Sequence, residues 1–141
     1  MNMRKLFLSK EAKIAVDILI FLALIFVFAV TKTHGIANIH WKSAHCILGV
    51  LLIFLMLVHI AQNWKFTKSL VKKKVMRKNK TIALAALVFI PVLITVALFA
   101  FGEFSMANLK LHHRIGELFT VLILIHAITK AKRFVYLFKK K

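Results

Sequence analysis

Four long apolar runs constrain this chain more than any other feature of its sequence. They cover approximately residues 14–31, 45–63, 81–102 and 111–129. Each is long enough for a helix to cross a hydrocarbon core of about 30 Å. Hydrophobic residues make up 61% of the 141 residues, more than soluble domains of this size usually carry. The sequence therefore predicts an all-α membrane protein, a four-transmembrane-helix bundle that forms a single domain over residues 1–141.

The fourth run is the weakest of the four, because His112, Glu117 and His126 interrupt it. A helix over about residues 109–138 is still expected there. Polar groups on its inner face would be shielded from lipid by the rest of the bundle.

The basic residues predict the orientation of these helices. Residues 1–13 carry four Lys or Arg, residues 64–80 carry eight and residues 130–141 carry six, which places eighteen on one side of the membrane. The other side carries four, namely Lys32, Lys42, Lys110 and Arg114. Basic residues favour the cytoplasmic side, so both termini are expected to be cytoplasmic.

The net charge of +18 does not indicate nucleic-acid binding. The basic residues lie between the apolar runs and are not interleaved with aromatic residues on one face. The basic segment 64–80 is expected to set the topology and to bind anionic membrane lipid. The alternative is that it docks an acidic cytoplasmic electron-transfer protein.

Two of the apolar runs share a spaced histidine pattern. His45 is followed by Gly49 and His59, and His112 by Gly116 and His126; each set reads His, three residues, Gly, nine residues, His. Fourteen residues rise about 21 Å along a helix and return close to the same face. The two histidines of one helix are therefore too far apart to bind one metal ion.

With both termini cytoplasmic, the second and fourth helices run in the same direction. This places His45 level with His112 on the outer side, and His59 level with His126 on the inner side. Imidazoles within membrane helices are costly unless they have partners. The pattern predicts two stacked bis-His metal sites, and haem is the expected occupant.

The arrangement resembles the di-haem cytochrome b superfamily, the haem-holding core of cytochrome b from quinol-oxidising complexes. It is also similar to small uncharacterised bacterial four-helix membrane proteins with the same His-x3-Gly pattern. The resemblance implies that His45 with His112, and His59 with His126, are axial ligands to the iron of two haems. The Pro-Glu-Trp-Tyr quinol-site motif of those cytochromes is absent from this sequence.

Haem would be held non-covalently, as a b-type group, because the chain has a single cysteine, Cys46, and no Cys-x-x-Cys-His motif. Gly49 and Gly116 are interpreted as cofactor-binding positions that make room for the flat macrocycle. Close helix–helix packing is the alternative. His113 is the alternative ligand to His112, although it points about 100° away on a helix and does not keep the fourteen-residue interval.

The predicted function is that of an integral-membrane di-haem b-type cytochrome that carries electrons across the membrane. It would be an electron-transfer subunit and not a complete enzyme, since bis-His iron has no open position for a substrate. Its expected partners are a quinone pool or a redox protein, with quinone as a second candidate ligand. The expected location is a bacterial cytoplasmic (inner) membrane.

Two alternatives stay open at this point. The first is a non-redox membrane scaffold or small transporter subunit in which the histidines are structural or carry protons. The second is an enzyme that reduces quinone or an extracytoplasmic substrate at one haem edge. The sequence also leaves open whether the chain forms a homo-oligomer.

Overall fold

The computed structural model describes residues 7–32 and 41–139, and this part of the chain is helical, without strands. Its helices are α1 (Lys10–Lys32), α2 (Trp41–Gln62), α3 (Trp64–Ser69), α4 (Lys73–Lys78), α5 (Lys80–Ala100) and α6 (Met106–Lys139). The all-helical class is thus confirmed for the described residues.

Four of these helices, α1, α2, α5 and α6, are long and apolar enough to cross a membrane. They coincide with the four apolar runs of the sequence, although α1 begins four residues before its run and α6 extends well past residue 129. Their outer faces carry exposed large apolar side chains, for example Phe26, Ile47, Leu87 and Ile128. Many exposed large apolar side chains on long apolar helices are typical of a lipid-facing protein. The chain is therefore a multi-pass membrane protein by the length and composition of its helices.

The chain divides into two compact units, residues 1–68 and residues 69–141. In the first unit, α1 and α2 pack together as a helical hairpin. Ser9 caps α1, since its Oγ accepts a hydrogen bond from the backbone N–H of Ala12 at 3.1 Å. The side chain of Gln62 donates to the carbonyl of Phe7 at 3.1 Å, which ties the last residue of α2 to the segment that precedes α1.

The packed faces of this hairpin follow the helical period. In α1, Asp17, Ile20 and Leu24 share one stripe, and Ile20 and Leu24 are buried. In α2, the buried residues Leu52 and Met56 lie on the stripe that also carries His59. Asp17 touches His59, so the two stripes face each other.

In the second unit, α5 and α6 form another packed pair. A short turn joins them, and Gly102 adopts a left-handed conformation there with φ of +88°. Ser105 then caps α6 by accepting a hydrogen bond from the backbone N–H of Asn108 at 3.1 Å. Within the pair, the rings of Phe89 and Phe119 stack with their centroids 5.5 Å apart.

Candidate haem-ligand sites

Both histidines of α2 lie on the buried stripe of that helix. His45 and His59 are half-buried, and Leu52, which lies seven residues from each, is buried. A seven-residue step is two helical turns, so the three side chains project from nearly the same side. The helix therefore presents one imidazole at either end of an apolar contact region.

The second unit repeats this arrangement. His112 and His126 are half-buried on α6, and the buried ring of Phe119 lies seven residues from each. Each unit thus carries two imidazoles about four turns apart on one helix face. The pairing of His45 with His112 and of His59 with His126 joins residues of different units and stays a prediction.

His59 contacts a carboxylate on the neighbouring helix. Its Nδ1 lies 2.8 Å from Oδ1 of Asp17, and the two side chains are 21% and 19% exposed. The distance suits a hydrogen bond, but the angle lies outside hydrogen-bond geometry, so the contact is a close electrostatic one. An ionised carboxylate only accepts, and it therefore favours a proton on Nδ1 of the imidazole.

His112 contacts a neutral group on its neighbouring helix, α5. Its Nδ1 lies 2.9 Å from Oγ1 of Thr95, and its ring meets the ring of Phe99 edge-on at 5.4 Å. The Thr95 hydroxyl has one proton, and it donates that proton to the carbonyls of Val92 at 2.9 Å and Pro91 at 3.2 Å. With that proton on the backbone carbonyls, Oγ1 accepts from His112 in the tautomer that carries its proton on Nδ1 and its lone pair on Nε2.

His113 has different surroundings from His112. Its side chain is 66% exposed, and Nε2 lies 3.3 Å from Oε1 of Glu117, one turn along the same helix. The other carboxylate oxygen of Glu117 lies 3.9 Å from Nη1 of Arg114, an i, i+3 pair on the same helix. His112 thus contacts the neighbouring helix α5, whereas His113 pairs with an exposed carboxylate of its own helix.

Gly49 and Gly116 both border open space. A Cβ atom built at either position meets no side chain, and no backbone outside its own helix turn, within 4 Å. Within its own unit, neither glycine is packed closely against another helix. Room for a flat group and close packing against a further helix both stay predictions.

The ligand chemistry of these residues fits haem. Among the described residues, no group of three or more His, Cys, Asp or Glu side chains could hold a metal ion. Haem needs only two axial protein ligands, because its porphyrin supplies the other four. A metal-bound histidine usually donates its second ring N–H to a carboxylate or another acceptor. Asp17 lies close to Nδ1 of His59, and Thr95 lies within hydrogen-bond distance of Nδ1 of His112.

Sequence reasoning missed the roles of Asp17 and Thr95. The contact of Asp17 with His59 depends on how α1 and α2 pack, which the sequence does not give. Thr95 did leave a signal, since it is the one polar residue between positions 82 and 101. A hydroxyl at such a position is a candidate partner for a polar group on another helix.

The four long apolar helices and the repeated histidine spacing place the chain in the class of helical membrane proteins with histidines in their apolar helices. No protein-family model matches the chain, and neither a curated protein nor a solved structure is significantly similar to it. The functional argument therefore rests on the residues themselves.

Proposed function

We propose that the chain is an integral-membrane di-haem b-type cytochrome, with an outer haem on His45 and His112 and an inner haem on His59 and His126. One observation carries the proposal. In each unit, one of the repeated histidines meets an acceptor on the neighbouring helix through Nδ1: Asp17 at His59 and Thr95 at His112. That arrangement directs Nε2 to a metal.

The iron of bound haem would supply one-electron chemistry, and two axial histidines favour electron transfer over oxygen binding. The chain's own residues would bind the two haems. His45, His59, His112 and His126 would hold the two groups. A Cβ atom at Gly49 or Gly116 meets nothing within 4 Å, which is consistent with a bound group beside each helix. The apolar side chains around the histidines exclude water.

Exposed basic residues lie close to the outer histidines in sequence. Lys42, Lys110 and Arg114 are exposed in their own units. Lys and Arg form charge-assisted contacts with carboxylates, and haem carries two propionates. We assign these residues to the propionates of the outer haem, with Lys65 in the equivalent role at the inner one.

The topology supports transfer across the membrane. With both termini cytoplasmic, the two histidine levels lie near opposite faces of a bacterial inner membrane. The exposed basic residues of segment 64–80 would then meet the anionic inner leaflet. Such a protein is an electron-transfer subunit, with a quinone pool or a redox protein as donor and acceptor.

The contact between His59 and Asp17 also favours a second candidate function. A carboxylate and an imidazole 2.8 Å apart within membrane helices are a common form of proton-carrying site. A non-redox transporter subunit or scaffold would use the histidines in this way or as structural contacts. It would be colourless when purified, and its liposomes would pass protons under a pH gradient.

Electron transfer across a lipid bilayer tests the proposed function. The protein is reconstituted into liposomes loaded with ferricyanide, with valinomycin and potassium to balance charge, and dithionite is added outside. We expect the trapped ferricyanide to be reduced at least about tenfold faster than in protein-free liposomes, since bis-His haem exchanges electrons readily. Absorbance of ferricyanide follows the reaction.

The matched control is a double variant, His45→Ala with His59→Ala, which removes one ligand from each proposed haem. It should behave like protein-free liposomes. Equal rates for the unaltered protein and the double variant would contradict transmembrane electron transfer.

A further inference from the structure

We infer that Asp17 and Thr95 are positioning residues for the ligands His59 and His112, and that the charge of Asp17 gives the haem on His59 the lower reduction potential of the two. This inference rests on the proposed di-haem function. It identifies the groups that orient two of the four ligands. It also predicts which of the two haems has the lower reduction potential.

Asp17 is a half-buried carboxylate in a helix of membrane-spanning length. Carboxylates are rare within such helices and usually face a partner. Here the partner includes Nδ1 of His59, on the packed stripe that α1 and α2 share. A carboxylate beside Nδ1 fixes the ring orientation and increases the electron density on Nε2.

Thr95 performs the same task at His112 without a charge. It is 1% exposed, the most deeply buried side chain in the described chain, and its hydroxyl oxygen lies 2.9 Å from Nδ1. With its proton on the backbone carbonyl of Val92, the oxygen accepts from the imidazole tautomer that carries its proton on Nδ1. The ring orientation is fixed, while Nε2 receives less electron density than it would from a carboxylate.

The two ligands therefore differ in donor strength. An electron-rich axial histidine stabilises the oxidised iron, and hydrogen bonding to the ligand is one of the means by which a protein sets haem potential. The haem on His59 should titrate at the lower potential. The variant His59→Ala tests which haem has the lower potential. It should remove the lower of the two reduction potentials and leave the higher one.

Asp17→Asn separates charge from position, since it removes the charge and keeps a side chain of nearly the same size beside Nδ1. We expect haem content to stay the same and the lower potential to shift upward, with the higher one unchanged, in a spectroelectrochemical titration at fixed pH. Asp17→Ala removes charge and acceptor together, so haem affinity at that site should fall by about ten- to hundredfold. Glu11→Gln is the matched control, because it removes an exposed carboxylate from the same helix and should change neither property.

Thr95→Val removes the hydroxyl from a side chain of similar shape. The haem on His112 should bind about ten- to hundredfold more weakly, while the haem on His59 is retained. Thr95→Ser keeps the hydroxyl and should bind both haems normally. Helical circular dichroism and gel-filtration elution in detergent show that each variant is folded.

The possible failures are distinguishable. If the unaltered protein binds no haem, both the proposed function and this inference are overturned. If it binds two haems but Asp17→Asn leaves both potentials in place and Thr95→Val leaves both affinities in place, only this inference is overturned. Loss of the higher potential in His59→Ala would reverse the assigned order.

Discussion

His59→Ala is expected to lower the haem content of the purified protein from about two per chain to about one. Bis-His iron needs both axial nitrogens for stable low-spin binding, and the substitution removes one of the two. The haem of the other level keeps both of its ligands. Extraction of haem and its quantification per chain give the result directly, and the same loss is expected for His126→Ala.

His113→Ala is the matched control for this loss. It removes an imidazole by the same substitution, but from a side chain that is 66% exposed and paired with Glu117. Its haem content should equal that of the unaltered protein. Two haems per chain in His59→Ala, or a loss in His113→Ala as large as in His112→Ala, would contradict the ligand assignment.

Gly116→Leu is expected to remove the outer haem while leaving the polypeptide folded. A leucine side chain would extend into the space that a Cβ at this position enters without meeting another helix. Haem and leucine would then compete for the same room, one turn from His112. We expect about one haem per chain, measured as above, with the inner level retained.

The thermal stability of the haem-free polypeptide should not fall in this variant. Replacing glycine in the interior of a helix by leucine favours the helix by about 0.8 kcal/mol, and a Cβ atom at this position meets nothing within 4 Å. The haem-free protein should therefore unfold at the same temperature or slightly higher. If Gly116 instead serves close helix packing, haem content would be unchanged and thermal stability would fall.

Val121→Leu supplies the control for added volume on the same helix. Its side chain is 52% exposed, so the extra methylene group projects outward. Haem content and thermal stability should both match the unaltered protein. The equivalent substitution at Gly49 should repeat the loss of the outer haem.

The long helices were predictable because their signal is local. Twenty consecutive apolar residues are enough to specify a membrane-spanning helix, and all four appear where the sequence places them. The turn between α5 and α6 was less visible, since it depends on the left-handed Gly102 and on capping by Ser105. The short helices α3 and α4 were not predicted, because segment 64–80 was interpreted only through its charge.

The histidine pattern was predictable for the same reason, since spacing along one helix fixes which side chains share a face. The contacts of those histidines were not, because they join residues far apart in sequence. Asp17 meets His59 across 42 positions, and Thr95 meets His112 across 17. Only the packing of α1 on α2 and of α5 on α6 brings these groups together.

The distinction between His112 and His113 shows how the two kinds of information combine. Spacing alone prefers His112, because the fourteen-residue interval to His126 needs it. The surroundings add an independent reason, since His112 contacts Thr95 and Phe99 while His113 pairs with Glu117. A ligand needs a fixed ring orientation, which only the first of the two positions provides.

A reduced-minus-oxidised absorption spectrum of the detergent-purified protein, with haem quantified per chain, tests the central claim most directly. We predict a b-type spectrum and about two haems per chain, one for each proposed pair of histidines. A colourless protein, after expression with ample haem, would contradict the di-haem assignment and leave the histidines to a non-redox role in the membrane.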